Sequence, residues 1–67
     1  MQEDMLNKIV RLKEDYGEMK AGAIGLCTAD IQMKEDEYIF AVKYENTWIT
    51  FKEKDSSIKD KFECVEN

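Results

Sequence analysis

From Asp36 onward, apolar and polar side chains alternate with the period of two that a half-buried strand requires. Tyr38, Phe40, Val42 and Tyr44 share one face, and Ile39, Ala41 and Lys43 share the other. Thr47-Trp48-Ile49-Thr50-Phe51 is rich in β-branched and aromatic residues and predicts a second strand, joined to the first by a tight hairpin at Glu45-Asn46. That turn lacks the favoured Asn-Gly pair, so the register stays open. If Ile49 and Phe51 point inward, Trp48 and Thr50 point outward. Ala23 to Met33 reads as another strand, with Gly25, Cys27, Ala29 and Ile31 on one face and Ile24, Leu26, Thr28 and Asp30 on the other. The small residues of the first face allow close approach by a neighbouring strand or layer. Lys34-Glu35-Asp36-Glu37 is a charged turn, Asp55-Ser56-Ser57 a turn or single helical turn, and Phe62-Glu63-Cys64-Val65 a short closing strand.

The beginning of the chain admits two readings. Met5, Ile9, Leu12, Tyr16 and Met19 recur at spacings of four and three, as an amphipathic helix requires, with Asp4 as its cap and Gly22 as its end. Gly17 would then lie inside the helix at a cost of about 1 kcal/mol relative to Ala. Alternatively, Lys8 to Lys13 is a strand with Val10 and Leu12 inward, followed by a glycine-containing loop. The two readings give two folds: a mainly β domain of about five short strands, or an α+β domain with an N-terminal helix and a three- or four-stranded antiparallel sheet. No repeat or linker divides the chain, so 1–67 is read as a single domain with an ordered core over about 7–65.

Ile9-Val10-Arg11-Leu12, then Asp15-Tyr16-Gly17, then Met19-Lys20-Ala21-Gly22-Ala23-Ile24-Gly25 resembles the opening of small bacterial or phage SH3-like barrel domains. In these a first strand enters a long loop, and a lysine-glycine segment begins the second strand. The strand Tyr38 to Tyr44 and the closing segment Phe62 to Val65 extend the resemblance over nearly the whole chain, although the usual proline before the closing segment is missing. The resemblance implies a small SH3-like barrel and places Tyr16 and Met19 in a loop that contributes to recognition in that family.

Composition narrows the chemistry. A chain of 67 residues supports one small core, which leaves few large apolar side chains for a deep substrate pocket. No apolar run reaches the length of a membrane-spanning helix, and the acidic start Met1-Gln2-Glu3-Asp4 lacks the basic region of a signal peptide, so a soluble cytoplasmic protein is expected. Cys27 and Cys64 are read first as buried thiols, with a single disulfide or a pair of reactive thiols as alternatives. The formal net charge of -5 opposes nonspecific attraction to nucleic acid and leaves room for a protein partner with a basic surface.

Candidate catalytic groups are weak. Histidine is absent, which removes the commonest base for a Ser, Thr or Cys nucleophile, and Ser56 or Ser57 near Lys54 and Lys59 is read as a solvated turn. Two cysteines 37 residues apart do not form a zinc site, and Asp30 with Glu35, Asp36 and Glu37 lacks the spacing and turn glycine of a calcium loop. Gly17, Gly22 and Gly25 lack the Lys-Ser/Thr pair of a phosphate loop. No enzyme activity and no cofactor is expected.

The leading expectation is therefore a noncatalytic protein-binding or regulatory module. Trp48, Tyr16 and Met19 are its candidate contacts, with structural cover as the alternative for Trp48 and anchoring of the loop onto the barrel as the alternative for Tyr16 and Met19, and Glu35, Asp36 and Glu37 supply charge selection or encounter steering. Two alternatives stand beside it. One is a nucleic-acid-binding barrel using Arg11, Lys13, Lys20, Lys43 and Lys52 with Trp48 as a stacking platform. The other is an acidic phage-type inhibitor that occupies the basic channel of a nucleic-acid-binding protein. Unpaired strand edges make a homodimer compatible with each of these readings.

Overall fold

The computed structural model describes residues 4–65. They form strands β1 (Ile9–Leu12), β2 (Ile24–Lys34), β3 (Glu37–Tyr44), β4 (Thr47–Glu53) and β5 (Phe62–Cys64), with a 3-10 helix, Ser56–Lys61, between the last two. All pairings are antiparallel and the strand order is β4-β3-β2-β1-β5.

The mainly β reading holds, and the barrel does not. The ladder ends at β4 on one side and β5 on the other, so the sheet is open rather than closed on itself. The 3-10 helix links these two edges and packs against β3, β4 and β5, so the inner face is covered by a helical turn instead of by strands curling round to meet. Asp55 caps this helix, its carboxylate accepting from the Ser57 backbone N–H at 2.9 Å. Hydrogen bonding to Ser57 holds the Asp55 pKa below its usual value.

The α+β alternative is also set aside, because Ile9–Leu12 is strand and no α-helix occurs among the described residues. Asp4 accepts from the Leu6 N–H at 2.8 Å in a local turn rather than capping a helix. Val10 and Leu12 are buried as the strand reading requires. The helical spacing of Met5, Leu12, Tyr16 and Met19 has a different origin: all four pack on the core, three of them from irregular segments flanking β1. Ile9 belongs to the opposite face, because it pairs with Leu26 in the row next to Val10 and Gly25.

The hairpin between β3 and β4 closes with Tyr44 opposite Thr47. Glu45 and Asn46 have φ of 48° and 65°, so the turn has the left-handed geometry usually filled by Asn-Gly. Its register places Phe40 opposite Phe51 and Val42 opposite Ile49 on the inner face. Phe40, Phe51 and Phe62 stack there with centroids 5.0 to 6.4 Å apart, joined by Val10, Leu12, Cys27, Ile58 and Met19. Gly25 is required for close strand approach, since a Cβ would lie 2.5 Å from Val42 Cγ1 and 2.6 Å from the Lys43 carbonyl oxygen.

One correction concerns the faces of β2. Cys27 pairs with Val42 but Ala29 pairs with Ala41, so Thr28 is an extra residue at a bulge. The bulge inverts the alternation beyond it. Asp30, assigned with Ile24 by simple alternation, is instead opposite the inward Phe40, while Ala29 and Ile31 join the outer face.

Candidate functional site

The outer face is built from the positions that alternate with the core. Across β4, β3, β2 and β1, one row reads Trp48, Lys43, Leu26, Ile9; the next reads Thr50, Ala41, Ala29; and a third reads Lys52, Ile39, Ile31. Opposed side chains in such rows lie about 5 Å apart, which makes Leu26 and Ile9, Ala41 and Ala29, and Ile39 and Ile31 adjacent apolar pairs, with Lys43 between Trp48 and Leu26. Ile24 lies beyond Leu26, opposite Arg11. Trp48, Ile24 and Ile31 are 62%, 53% and 52% exposed, more than expected of large apolar side chains in a small domain. Ile9, Leu26 and Ile39 are partly buried between them.

The charges on this face are selective. Lys43 Nζ lies 4.9 Å from the Trp48 ring centroid, directly across the ladder, and holds the ring by a cation–π contact. Lys52 is exposed beside Ile39. Arg11 is tied to Glu63 at 2.7 Å. Three basic side chains therefore stand next to the aromatic and aliphatic residues of this face, Arg11 opposite Ile24 and paired with Glu63, and Lys43 and Lys52 beside Trp48 and Ile39.

The other expected contact residues are placed elsewhere. Tyr16 and Met19 form an antiparallel bridge, each backbone N–H donating to the other's carbonyl at 2.9 Å, and this bridge folds the loop onto the inner face. Met19 is buried in the core. Tyr16 is partly buried, its ring 5.3 Å from that of Phe51 and beneath Lys61 Nζ at 5.4 Å. Neither shares a surface with Trp48. Glu35 and Asp36 are exposed at the β2–β3 turn, which the Gln32 amide steadies by donating to the Lys34 and Glu37 carbonyls. Glu37 opens β3, six residues from Lys43, or about 20 Å along the strand, so the acidic turn and Trp48 lie at opposite ends of the sheet.

Beside the β3–β4 turn, a cavity of about 210 Å³ is lined by Glu18, Met19, Tyr44, Glu45, Thr47 and Ile49. Its charged rim is acidic.

Of the cations considered for nucleic acid, Lys43 and Lys52 share the outer face with Trp48, whereas Lys20 lies 3.9 Å from Asp15 on the loop. Among the described residues no helix is long and apolar enough to cross a membrane, and no group of three or more acidic or thiol side chains could hold a metal ion.

Sequence reasoning missed one buried polar cluster. Asp30 and Lys59 form an ion pair at 2.9 Å with side chains only 4% and 7% exposed, and the same Asp30 oxygen accepts from the Met5 N–H at 2.7 Å. Next to it the Cys27 thiol donates to the Ala29 carbonyl at 3.4 Å. Burial, with Asp30 adding to it, pushes the thiol pKa up to about 11 against the lowering effect of the Ala29 bond, so the group is protonated at neutral pH. Cys64, by contrast, is exposed, and both cysteines are free. The missing signal was the Thr28 bulge, without which Asp30 reads as an outward residue. Ile24 and Ile31 were also missed as candidate contacts, although the apolar residues on both faces of the β2 segment already pointed to a two-sided strand.

No known family, characterised protein or solved structure matches this chain. With the open sheet, this removes the SH3-like resemblance as a basis for function. What remains is the surface itself.

Proposed function

We propose that this chain is a noncatalytic protein-binding or regulatory module that docks its partner on the outer face of the sheet. The observation that carries the reading is the exposure of Trp48, Ile24 and Ile31 on one side of a domain whose other side holds the buried core. Aromatic and aliphatic anchors on one face supply the apolar area that binding hot spots use. Lys43 and Lys52 select a partner that brings carboxylates to the edge of its own apolar surface. The aliphatic character of the patch favours protein over nucleic acid, and the net charge of -5 acts in the same direction. Glu35 and Asp36 then act in encounter steering, apart from the docking surface. Two free thiols are in keeping with a reducing, cytoplasmic setting.

Affinity capture from the native host followed by titration of the purified partner tests this. Ile31→Glu and Trp48→Ala should each weaken binding by about tenfold or more, while a Glu35→Lys, Asp36→Lys variant should change it less. Equal affinity for all folded variants would reject the outer face as the docking surface. Saturable, salt-sensitive binding of labelled single-stranded RNA by the free protein, lost in Trp48→Ala, would replace the protein reading with the nucleic-acid one.

A further inference from the structure

The rim of β4 offers something the outer face does not, backbone groups along a strand edge left unpaired among the described residues, although the side chain of Trp48 belongs to both. The opposite edge of the sheet, β5, has only three residues, as protected edges often do. β4 has seven, contains neither proline nor glycine, and pairs with β3 without a register shift. A two-residue turn closes on a hydrogen-bonded pair, here Tyr44 and Thr47, and alternation along the ladder follows from it. The backbone groups of Thr47, Ile49, Phe51 and Glu53 are directed at β3, and those of Trp48, Thr50 and Lys52 at the rim. Among the described residues, Trp48, Thr50 and Lys52 make no backbone–backbone hydrogen bond outside the sheet ladder. The side chains of these three are also exposed.

We infer that β4 pairs antiparallel with β4 of a second copy of this chain, about a two-fold axis at Thr50, to give one continuous ten-stranded sheet. The sequence of the rim is self-complementary in this register. Thr50 meets Thr50, and each Trp48 meets Lys52 of the second copy, twice over by symmetry. Each of these pairs joins rim-directed backbone groups, so all three rim residues of both copies gain ladder hydrogen bonds. On the outer face Trp48, already contacted by Lys43 from β3, receives a second cation from the other side. On the inner face Ile49 meets Phe51 of the second copy. Lys52, which alone would discourage edge pairing, becomes a specific contact because the residue opposite it is aromatic. An unrelated extended peptide offers no such fixed match of Lys to Trp at both ends of the pairing.

Light scattering over a concentration series should give a mass rising from 7.9 kDa toward twice that value. Thr50→Pro removes a rim N–H that makes no backbone hydrogen bond outside the ladder among the described residues, so it should hold the mass at 7.9 kDa with the strand signal in circular dichroism retained. Should that variant fold poorly, cross-linking decides. In a Cys64→Ser background, Thr50→Cys should form a disulfide dimer on mild oxidation, because residues directly opposite lie about 5.5 Å apart at Cα. Trp48→Cys should not, because its own counterpart lies about 13 Å along the strand. A mass of 7.9 kDa at every concentration, or a dimer in which Thr50→Cys fails to cross-link, would overturn the proposal, the first outcome leaving the rim to a foreign strand at most. Ile31→Glu, on β2 and away from the rim, should leave the dimer intact while weakening face docking, and a failed Thr50→Cys cross-link rejects the dimer without bearing on the Ile31 result, so the two readings fail separately.

Discussion

Phe40 and Ile31 belong to adjacent strands of one sheet and experience opposite surroundings. Phe40 on the inner face is sealed between Phe51, Phe62 and the 3-10 helix, whereas Ile31 on the outer face is about half exposed. The inner face is closed by everything outside the strands: the helix from Ser56 to Lys61 and the loop anchored by Tyr16 and Met19 both fold onto it. Among the described residues no element of comparable size covers the outer face, and Trp48, Ile24 and Ile31 stay exposed. A domain this small needs its apolar side chains for one core. Placing Trp48, Ile24 and Ile31 outside that core is a cost that the proposed docking would offset.

Substitution should separate the two faces sharply. Phe40→Ala should cost about 3–5 kcal/mol in urea unfolding, enough to unfold much of a domain of this size, while Ile31→Ala should stay within about 0.5 kcal/mol. Similar losses for both would mean that the outer face is packed.

The buried polar cluster sharpens the contrast from within the core. Lys59→Met leaves the Asp30 carboxylate buried without its cation and should cost about 3–5 kcal/mol, whereas Lys59→Met combined with Asp30→Leu should recover most of that loss. A double variant no more stable than the single one would show that Asp30 matters chiefly through its bond from the Met5 N–H.

Alkaline titration probes the same region more gently. Between the ordinary thiol pKa of 9.0 and the folded value of about 11, the unfolded chain loses the Cys27 proton before the folded one does, so stability falls as pH rises through that window. The Cys27 contribution to this fall is about 2–3 kcal/mol, and it should disappear from the pH profile of Cys27→Ala. An unchanged profile would place the thiol in contact with water.

Periodicity made the strands legible where both faces alternate cleanly. The shared face of Tyr38, Phe40 and Val42 and the hairpin at Glu45-Asn46 were readable from residue order, whereas an outward Trp48 followed only on the condition that Ile49 and Phe51 point inward. It failed where one residue was added: Thr28 inverts the rest of β2, which hid both the inward Asp30 and the outward Ile31. The spacing of Met5, Leu12, Tyr16 and Met19 correctly marked residues that face the core but could not distinguish a helix from a strand flanked by folded loops. Closure of the sheet was equally illegible, because whether β4 meets β5 depends on what the 3-10 helix between them covers. Residue order left Tyr16 and Met19 open as contacts or as loop anchors, and their mutual bridge and packing on the core make them anchors.

Trp48 is the single tryptophan of the chain, so its fluorescence reports on the outer face without interference. Acrylamide quenching should be measured at a dilution where light scattering gives 7.9 kDa. An uncovered face requires emission near that of free indole and efficient quenching, with both changing toward burial when partner is added. A blue-shifted, poorly quenched Trp48 in the isolated chain would mean that the protein covers this face itself, and the docking surface would be lost.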